Sequence, residues 1–152
     1  MIGENMKKLF LIIIGVVLFT GCKSRNVMEC SYNSKEDDRT INLSYKVKHR
    51  GSRVLSVKSV EKVTSTDPDI ISSYKDDVEA FYEPFTYIDN YNYKIKSNSK
   101  SITVTATIDY NKIDLDEMIM LDPDIEQLMD NGYIDIDILK ISYEELGLEC
   151  KK

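Results

Sequence analysis

The sequence predicts an α+β domain, an antiparallel β-sheet with helices packed on it, in the order βββ-α-ββ-α-α. Three observations carry that expectation. Apolar and polar residues alternate with a period of two at Ile41, Leu43, Tyr45 and Val47, and again at Ile102, Val104, Ala106, Ile108 and Tyr110, as half-buried strands require. Between them Ile71, Tyr74, Val78, Phe81, Tyr82 and Phe85 recur at helical spacing. The run Asp-Pro-Asp-Ile occurs at residues 67–70 and again at 122–125. Each copy opens a helix: the first Asp caps free amides, Pro takes the first helical position, and the second Asp lies favourably against the helix dipole.

The chain begins with a targeting segment. Lys7 and Lys8 form a positive start, residues 9–19 are apolar, and Thr20 and Gly21 are small residues ahead of Cys22. An apolar run of about eleven residues is too short to cross a bilayer, which needs roughly twenty. Cysteine after a small residue at the end of such a run is similar to the bacterial lipobox, where the thiol takes a diacylglycerol and cleavage leaves the cysteine as the new N-terminus. Phe19 stands where leucine is usual. Residues 1–21 are therefore expected to be a lipoprotein signal peptide, Cys22 the lipidation site, residues 22–27 a tether and residues 28–152 one globular domain. Residues 1–5 add nothing to the positive start, and translation begins at Met1 or at Met6. Attachment by two or more acyl chains, at about 0.8 kcal/mol per buried methylene, is stable, which places the domain on the extracytoplasmic face of a membrane.

Within the domain, Met28, Cys30 and Tyr32 alternate as a first strand, and residues 33–39 form a charged turn. After the strand at 41–47, His49, Arg50, Gly51 and Ser52 supply a hairpin loop, and the valine-rich stretch 54–63 is the third strand. The helix after Asp67 is expected to end at Pro84. Tyr91, Tyr93 and Ile95 form a strand that turns at residues 98–100 and pairs with the strand at 102–110, whose Thr103, Thr105 and Thr107 face solvent. Residues 114–121 and 122–131 are expected as short helical pieces, the second stopped by Gly132. A last helix covers 137–146 and ends at Gly147, and residues 148–150 are free to return beside the first strand.

Once Cys22 carries lipid, two cysteines remain. A Cys30–Cys150 disulfide is one expectation in an oxidising compartment; two free thiols are the other.

Charge excludes some partners. The chain carries 26 acidic and 20 basic residues, and loss of residues 1–21 leaves a net of about −7. General nucleic-acid binding wants a basic footprint, so no nucleic-acid partner is expected. The charges are also segregated. Acidic residues fill 114–137 without a single base, whereas Lys46, Lys48, Arg50, Arg53, Lys58 and Lys62 face only Glu61. The basic hairpin, in particular Lys46, Lys48, Arg50 and Arg53, is a candidate for contact with anionic lipid or wall polymer. The acidic region is a candidate for a divalent cation, although it lacks the spacing and glycine of a calcium loop.

Catalytic chemistry finds little footing. The only histidine, His49, is expected in a solvated loop, and there is no glycine-rich phosphate loop, CxxC or HExxH. No cofactor, metal or catalytic residue is expected. Tyr82, Tyr87, Tyr91 and Tyr93 form a tyrosine-rich group suited either to half-buried sheet positions or to sugar and protein contacts.

Arg53-Val54-Leu55, the stretch from Ile102 through Asp109-Tyr110-Asn111-Lys112-Ile113-Asp114, and Leu146-Gly147-Leu148 before a charged tail together resemble the YehR-like family of small bacterial lipoproteins, whose domain has no assigned function. The resemblance covers residues 40–151. It implies an α+β domain with an antiparallel sheet, brings no catalytic residues, and does not extend to the Cys30/Cys150 pair. The expected function is that of a lipid-anchored binding or accessory domain for an envelope protein or wall polymer, not an enzyme. The alternative is a cell-surface hydrolase or a divalent-cation-binding protein that uses residues 114–137.

Overall fold

The computed structural model describes residues 26–152. The predicted signal peptide and Cys22 lie outside them. Among the described residues, eight strands and three α-helices form an α+β domain. β1 (Asn26–Lys35), β2 (Arg39–Arg50), β3 (Arg53–Ser65), β4 (Tyr91–Asn98), β5 (Ser101–Asp109) and β8 (Glu149–Lys151) make one six-stranded sheet in the order β4-β5-β3-β2-β1-β8. Every pairing in it is antiparallel. β6 (Met129–Asp130) and β7 (Tyr133–Ile134) form a separate small hairpin.

The strands follow the sequence alternation and extend it. β1 starts two residues before Met28, and β3 gains residues at both ends of the expected 54–63. Gly51 and Ser52 are the only residues between the paired Arg50 and Arg53, and Gly51 takes φ +59°, which a two-residue hairpin turn needs and glycine accepts. A register shift opposite Lys48 and His49 sets Leu55 outside the ladder. Its freed carbonyl accepts from the Tyr110 amide at 3.0 Å and from Asn111 Nδ2 at 3.1 Å, so the bulge ties β3 to the end of β5.

Helices cover one side of the sheet. α1 (Pro68–Tyr82) is capped by Asp67, which accepts from the Asp69 amide at 2.9 Å. Its Ile71 and Val78 pack on Val63, Ile102 and Val104 of the sheet. The α-helix ends at Tyr82, two residues ahead of Pro84, as expected. A 3-10 turn, Glu83–Tyr87, continues directly from the helix with Pro84 in its first two positions, where the missing amide costs nothing. Phe81 departs from the expected apolar stripe and stands 60% exposed. Tyr82, one residue on, takes the inward position next to Val78, and Phe81 rests its ring on Tyr82 and Phe85.

The other end of the sheet is covered by α2 (Leu115–Leu121), a 3-10 turn (Pro123–Leu128) and α3 (Ile136–Glu145). Their Met118, Ile125 and Leu139 meet Met28, Val47 and Val57. The expected helical piece at 122–131 is corrected here: only its first half is helical, and Gly132 is a hairpin residue. Asn131 and Gly132 take φ +49° and +80° between β6 and β7, the left-handed pair that an Asn-Gly turn favours.

After Gly147 (φ +87°) the chain returns as β8 along β1. Cys30 lies opposite Cys150 in that pairing, their Cα atoms are 4.0 Å apart, and the two are joined by a disulfide that closes a separation of 120 residues. Beside the bridge, the last strand is held by three residues of ladder, the buried Leu148 and the Lys152–Asp137 pair. Replacing both cysteines by Ala is expected to lower unfolding stability by roughly 4–5 kcal/mol on the chain-entropy view and to speed amide exchange at residues 149–151. Denaturant titration with hydrogen-exchange mass spectrometry checks both, and unchanged stability contradicts the role given to the bridge.

Candidate functional site

Because strand residues alternate between faces, the register fixes what the uncovered side of the sheet presents. Cross-strand rows can be followed from one edge to the other. Nearest the β2–β3 turn, Val27, Lys48, Ser56 and Asp109 lie side by side. The next row runs Lys151, Glu29, Lys46, Lys58, Thr107 and Asn92, and the one after it Glu149, Ser31, Ser44, Val60, Thr105 and Lys94. Then come Asn33, Asn42, Lys62, Thr103 and Lys96, and finally Lys35, Thr40, Thr64, Ser101 and Asn98. No aromatic side chain belongs to any row. Cations outnumber the three carboxylates Glu29, Asp109 and Glu149.

Of the expected hairpin cations, Lys46 and Lys48 belong to these rows, Arg50 and Arg53 flank the turn at their end, and all four are exposed; Arg53 also lines a hollow with Asp114 and Asp116. Two of their pairings are like-charged, Lys46 directly across from Lys58 and Arg50 across from Arg53, and such opposed pairs are destabilising. Lys46 finds Glu29 at 3.0 Å. Among the described residues Lys48, Lys58, Lys62, Lys94 and Lys96 make no ion pair. On the helical side the pattern reverses, since Lys75 pairs with Glu79 at 3.3 Å, Lys140 with Glu144 at 3.3 Å and Lys152 with Asp137 at 2.5 Å. The Lys152 hydrogen bond, with its charge, holds the exposed Asp137 carboxyl below the usual range.

The open side is not flat. A depression of about 480 Å³ is floored by Ser31, Ser44 and Val60 and walled by Lys46, Lys58 and Lys151 with Glu29 and Glu149. Another of about 620 Å³ lies near the β2–β3 turn between Lys48, Arg50, Ser56, Thr107, Asp109 and Lys112. A third, of about 430 Å³, lies at the far end, where Lys35, Arg39, Lys62 and Lys100 share the lining with Glu36, Asp37 and Asp38. Lysine ammonium groups and hydroxyls together can hold anionic oxygens.

The other residues singled out in the sequence lie on the covered side. His49 is corrected: it is a β2 residue, 5% exposed, not a solvated loop residue. The turn is only two residues long, so the alternation runs on through position 49 and carries the ring inward. Nδ1 donates to the Gly51 carbonyl at 2.8 Å, and Nε2 is buried without a partner.

The acidic region of 114–137 is occupied locally. Asp114 accepts from the amides of Asp116 and Glu117, Asp122 from that of Asp124, and Asp135 from those of Asp137 and Ile138. Among the described residues no group of three or more His, Cys, Asp or Glu is arranged to hold a metal ion.

Three of the four tyrosines pack internally: Tyr82 stacks on Tyr93 at 4.9 Å, and Tyr91 on Phe85 at 4.9 Å. Tyr87 stands 84% exposed. Tyr74 donates to Glu61, and Tyr45 packs on Tyr143 at 4.5 Å.

Lys94 and Lys96, and the joining of β3 to β4 through β5, were not expected to extend the basic hairpin. Their signal was present, because both alternate with Tyr93 and Ile95, but the strand order that places them beside Lys62 is set by nonlocal pairing.

Two solved structures share this fold. The NMR structure of a protein from Streptococcus pneumoniae TIGR4 matches with a TM-score of 0.55 at 12% identity, covering 87% of this chain and 88% of that one. The NMR structure of the E. coli YehR protein matches with a TM-score of 0.55 at 15% identity, covering 87% and 94%. At these identities the likeness is one of fold, and fold does not carry function. No protein-family model matches the chain, and no curated protein matches it.

The packing of the tyrosine layer has a measurable consequence. Burial pushes the Tyr45 and Tyr110 phenols up to about 12, and burial likewise raises Tyr91 and Tyr143. A phenol raised above its unfolded value of about 10 stabilises the fold fully below that pH, and the contribution is lost as pH climbs toward the folded value. Stability is therefore expected to fall between pH 10 and about 12, with tyrosinate absorbance lagging behind that of the unfolded chain. Coincident titration of the two states contradicts this packing.

Proposed function

We propose that the protein is a lipid-anchored extracytoplasmic domain of the YehR-like kind that binds, without chemistry of its own, an anionic component of the cell envelope. The observation that carries the reading is the segregation of charge: cations without ion pairs collect on the uncovered sheet face of a chain whose net charge is −6. Concentrating like charges on one face lowers stability, and a binding surface is what gives that cost a use.

The attachment point suits such a role. Asn26, the first residue of β1, pairs with His49 beside the β2–β3 turn, so the chain leaves the fold at the end that carries Lys48, Arg50 and Arg53. Cys22 is four residues earlier, a reach of at most about 14 Å. A lipid there would hold the basic end of the sheet close to the headgroups, where each cation contributes about 1 kcal/mol near an anionic leaflet.

The test is the N-terminus itself. Protein made in a bacterium that processes lipoproteins is expected to start at Cys22, to carry a diacylglyceryl group by mass spectrometry, and to sediment with membranes, whereas Cys22→Ala stays unprocessed and unacylated. An unprocessed wild-type chain with a bare Cys22 thiol in the cytosol overturns the proposal.

A further inference from the structure

The identity of the anionic partner can be taken further, and this step rests on the binding role just described. We infer that the uncovered face is a docking surface for a linear phosphodiester polymer whose repeat carries no aromatic ring.

Four features select that occupant. The first is charge: Lys58, Lys62, Lys94 and Lys96, drawn from β3 and β4, have no internal counter-ion among the described residues, and Lys58 stands directly across from Lys46, whose own partner is Glu29 at 3.0 Å. The second is the chemistry of the donors. They are mostly lysines, flexible point charges, interleaved with hydroxyls such as Ser44, Thr103, Thr105 and Thr107. That combination suits singly charged phosphate oxygens presented in many orientations, whereas bidentate carboxylate recognition calls for arginine forks.

The third feature is what the face lacks. With no aromatic ring in any row it has no platform on which nucleobases or sugar rings stack, and with Val27 and Val60 as its only apolar members it has no anchor for a protein hot spot. The fourth is extent. The cations continue from Lys48, near the tether, to Lys62 and Lys96 toward the far end of the strands, along a β3 segment of roughly 20 Å. A bilayer met at the tether end engages Lys48, Arg50 and Arg53, and its field fades within about 8–10 Å. A chain laid along the strands reaches all of them.

The test uses the full chain in neutral detergent, with fluorescently labelled poly(glycerol phosphate) as probe over a series of salt concentrations. The wild type is expected to bind with an affinity that falls steeply with salt. Lys58→Ala/Lys62→Ala/Lys94→Ala/Lys96→Ala is expected to weaken binding by about tenfold or more and to flatten the salt dependence. The removal of mutually repelling groups leaves the fold intact, which circular dichroism checks, and Lys94→Ala/Lys96→Ala on the edge strand alone gives a smaller loss in the same direction. Lys75→Ala/Lys140→Ala, on the helical side, leaves binding within about twofold.

Absence of binding, or equal losses in the helical-side variant, overturns the inference. Equal affinity for poly-glutamate overturns the phosphodiester assignment. Tighter, Lys58- and Lys62-dependent binding to phosphatidylglycerol vesicles at matched phosphate assigns the face to the bilayer instead. None of these outcomes depends on the lipid at Cys22, so failure here is distinct from failure of the anchor.

Discussion

Met28, Val47 and Val57 lie side by side across β1, β2 and β3, and both Met28 and Val47 are wholly buried. On that row converge Met118, Ile125 and Leu139 from the helical segments, while Ile71 and Val78 of the first helix close over Val63 and Ile102 farther along. A sheet covered on one side must send every second residue to water. The burial that makes the core therefore also lines up Lys46, Lys58, Lys62, Lys94 and Lys96 on a common surface, where no helix can neutralise them. Charge separation in this molecule is a consequence of one-sided coverage, with the acidic helices on one face and the basic strands on the other.

The last strand and the β2–β3 turn are joined to this arrangement by different means. β8 adds only three residues to the edge of β1, and the Cys30–Cys150 bridge fixes it there. At the β2–β3 turn, the Ser52 carbonyl accepts from the Ile136 amide at 2.8 Å, and the Arg53 backbone forms an isolated antiparallel bridge with Asp135, the cap of the last helix. The basic turn is thus tied to the helical layer beneath it while its Arg50 and Arg53 side chains remain exposed.

Much of this was legible from local pattern, because alternation and capping are local physics. Ile102 to Tyr110 and the Asp-Pro pairs at 67–68 and 122–123 form the elements their residues favour. Three features were not read correctly. His49 was judged by its charged neighbours, yet strand parity decides its burial once the turn shrinks to Gly51 and Ser52. Gly132 reads locally as a helix stop, yet Asn131-Gly132 is a hairpin signal and Met129 and Ile134 pair across it. Phe81 fits the apolar stripe by spacing, but only one of Phe81 and Tyr82 can point inward, and Phe81 stays exposed. The candidate surface was half legible. Lys46 to Lys62 stood out as a basic run, but Lys94 and Lys96 join it only through β5, which inserts between β3 and β4, and no local pattern announces that order.

Everything functional rests on the two faces having opposite electrostatic character, and that is open to direct measurement. Backbone and side-chain protons of the labelled protein can be compared by NMR in the presence of an anionic and a neutral paramagnetic chelate of the same size. The account predicts that the anionic probe enhances relaxation more than the neutral one at Ser44, Lys58, Thr103 and Lys94, and less at residues of the last two helices. Equal enhancement by both probes across the two faces would contradict it.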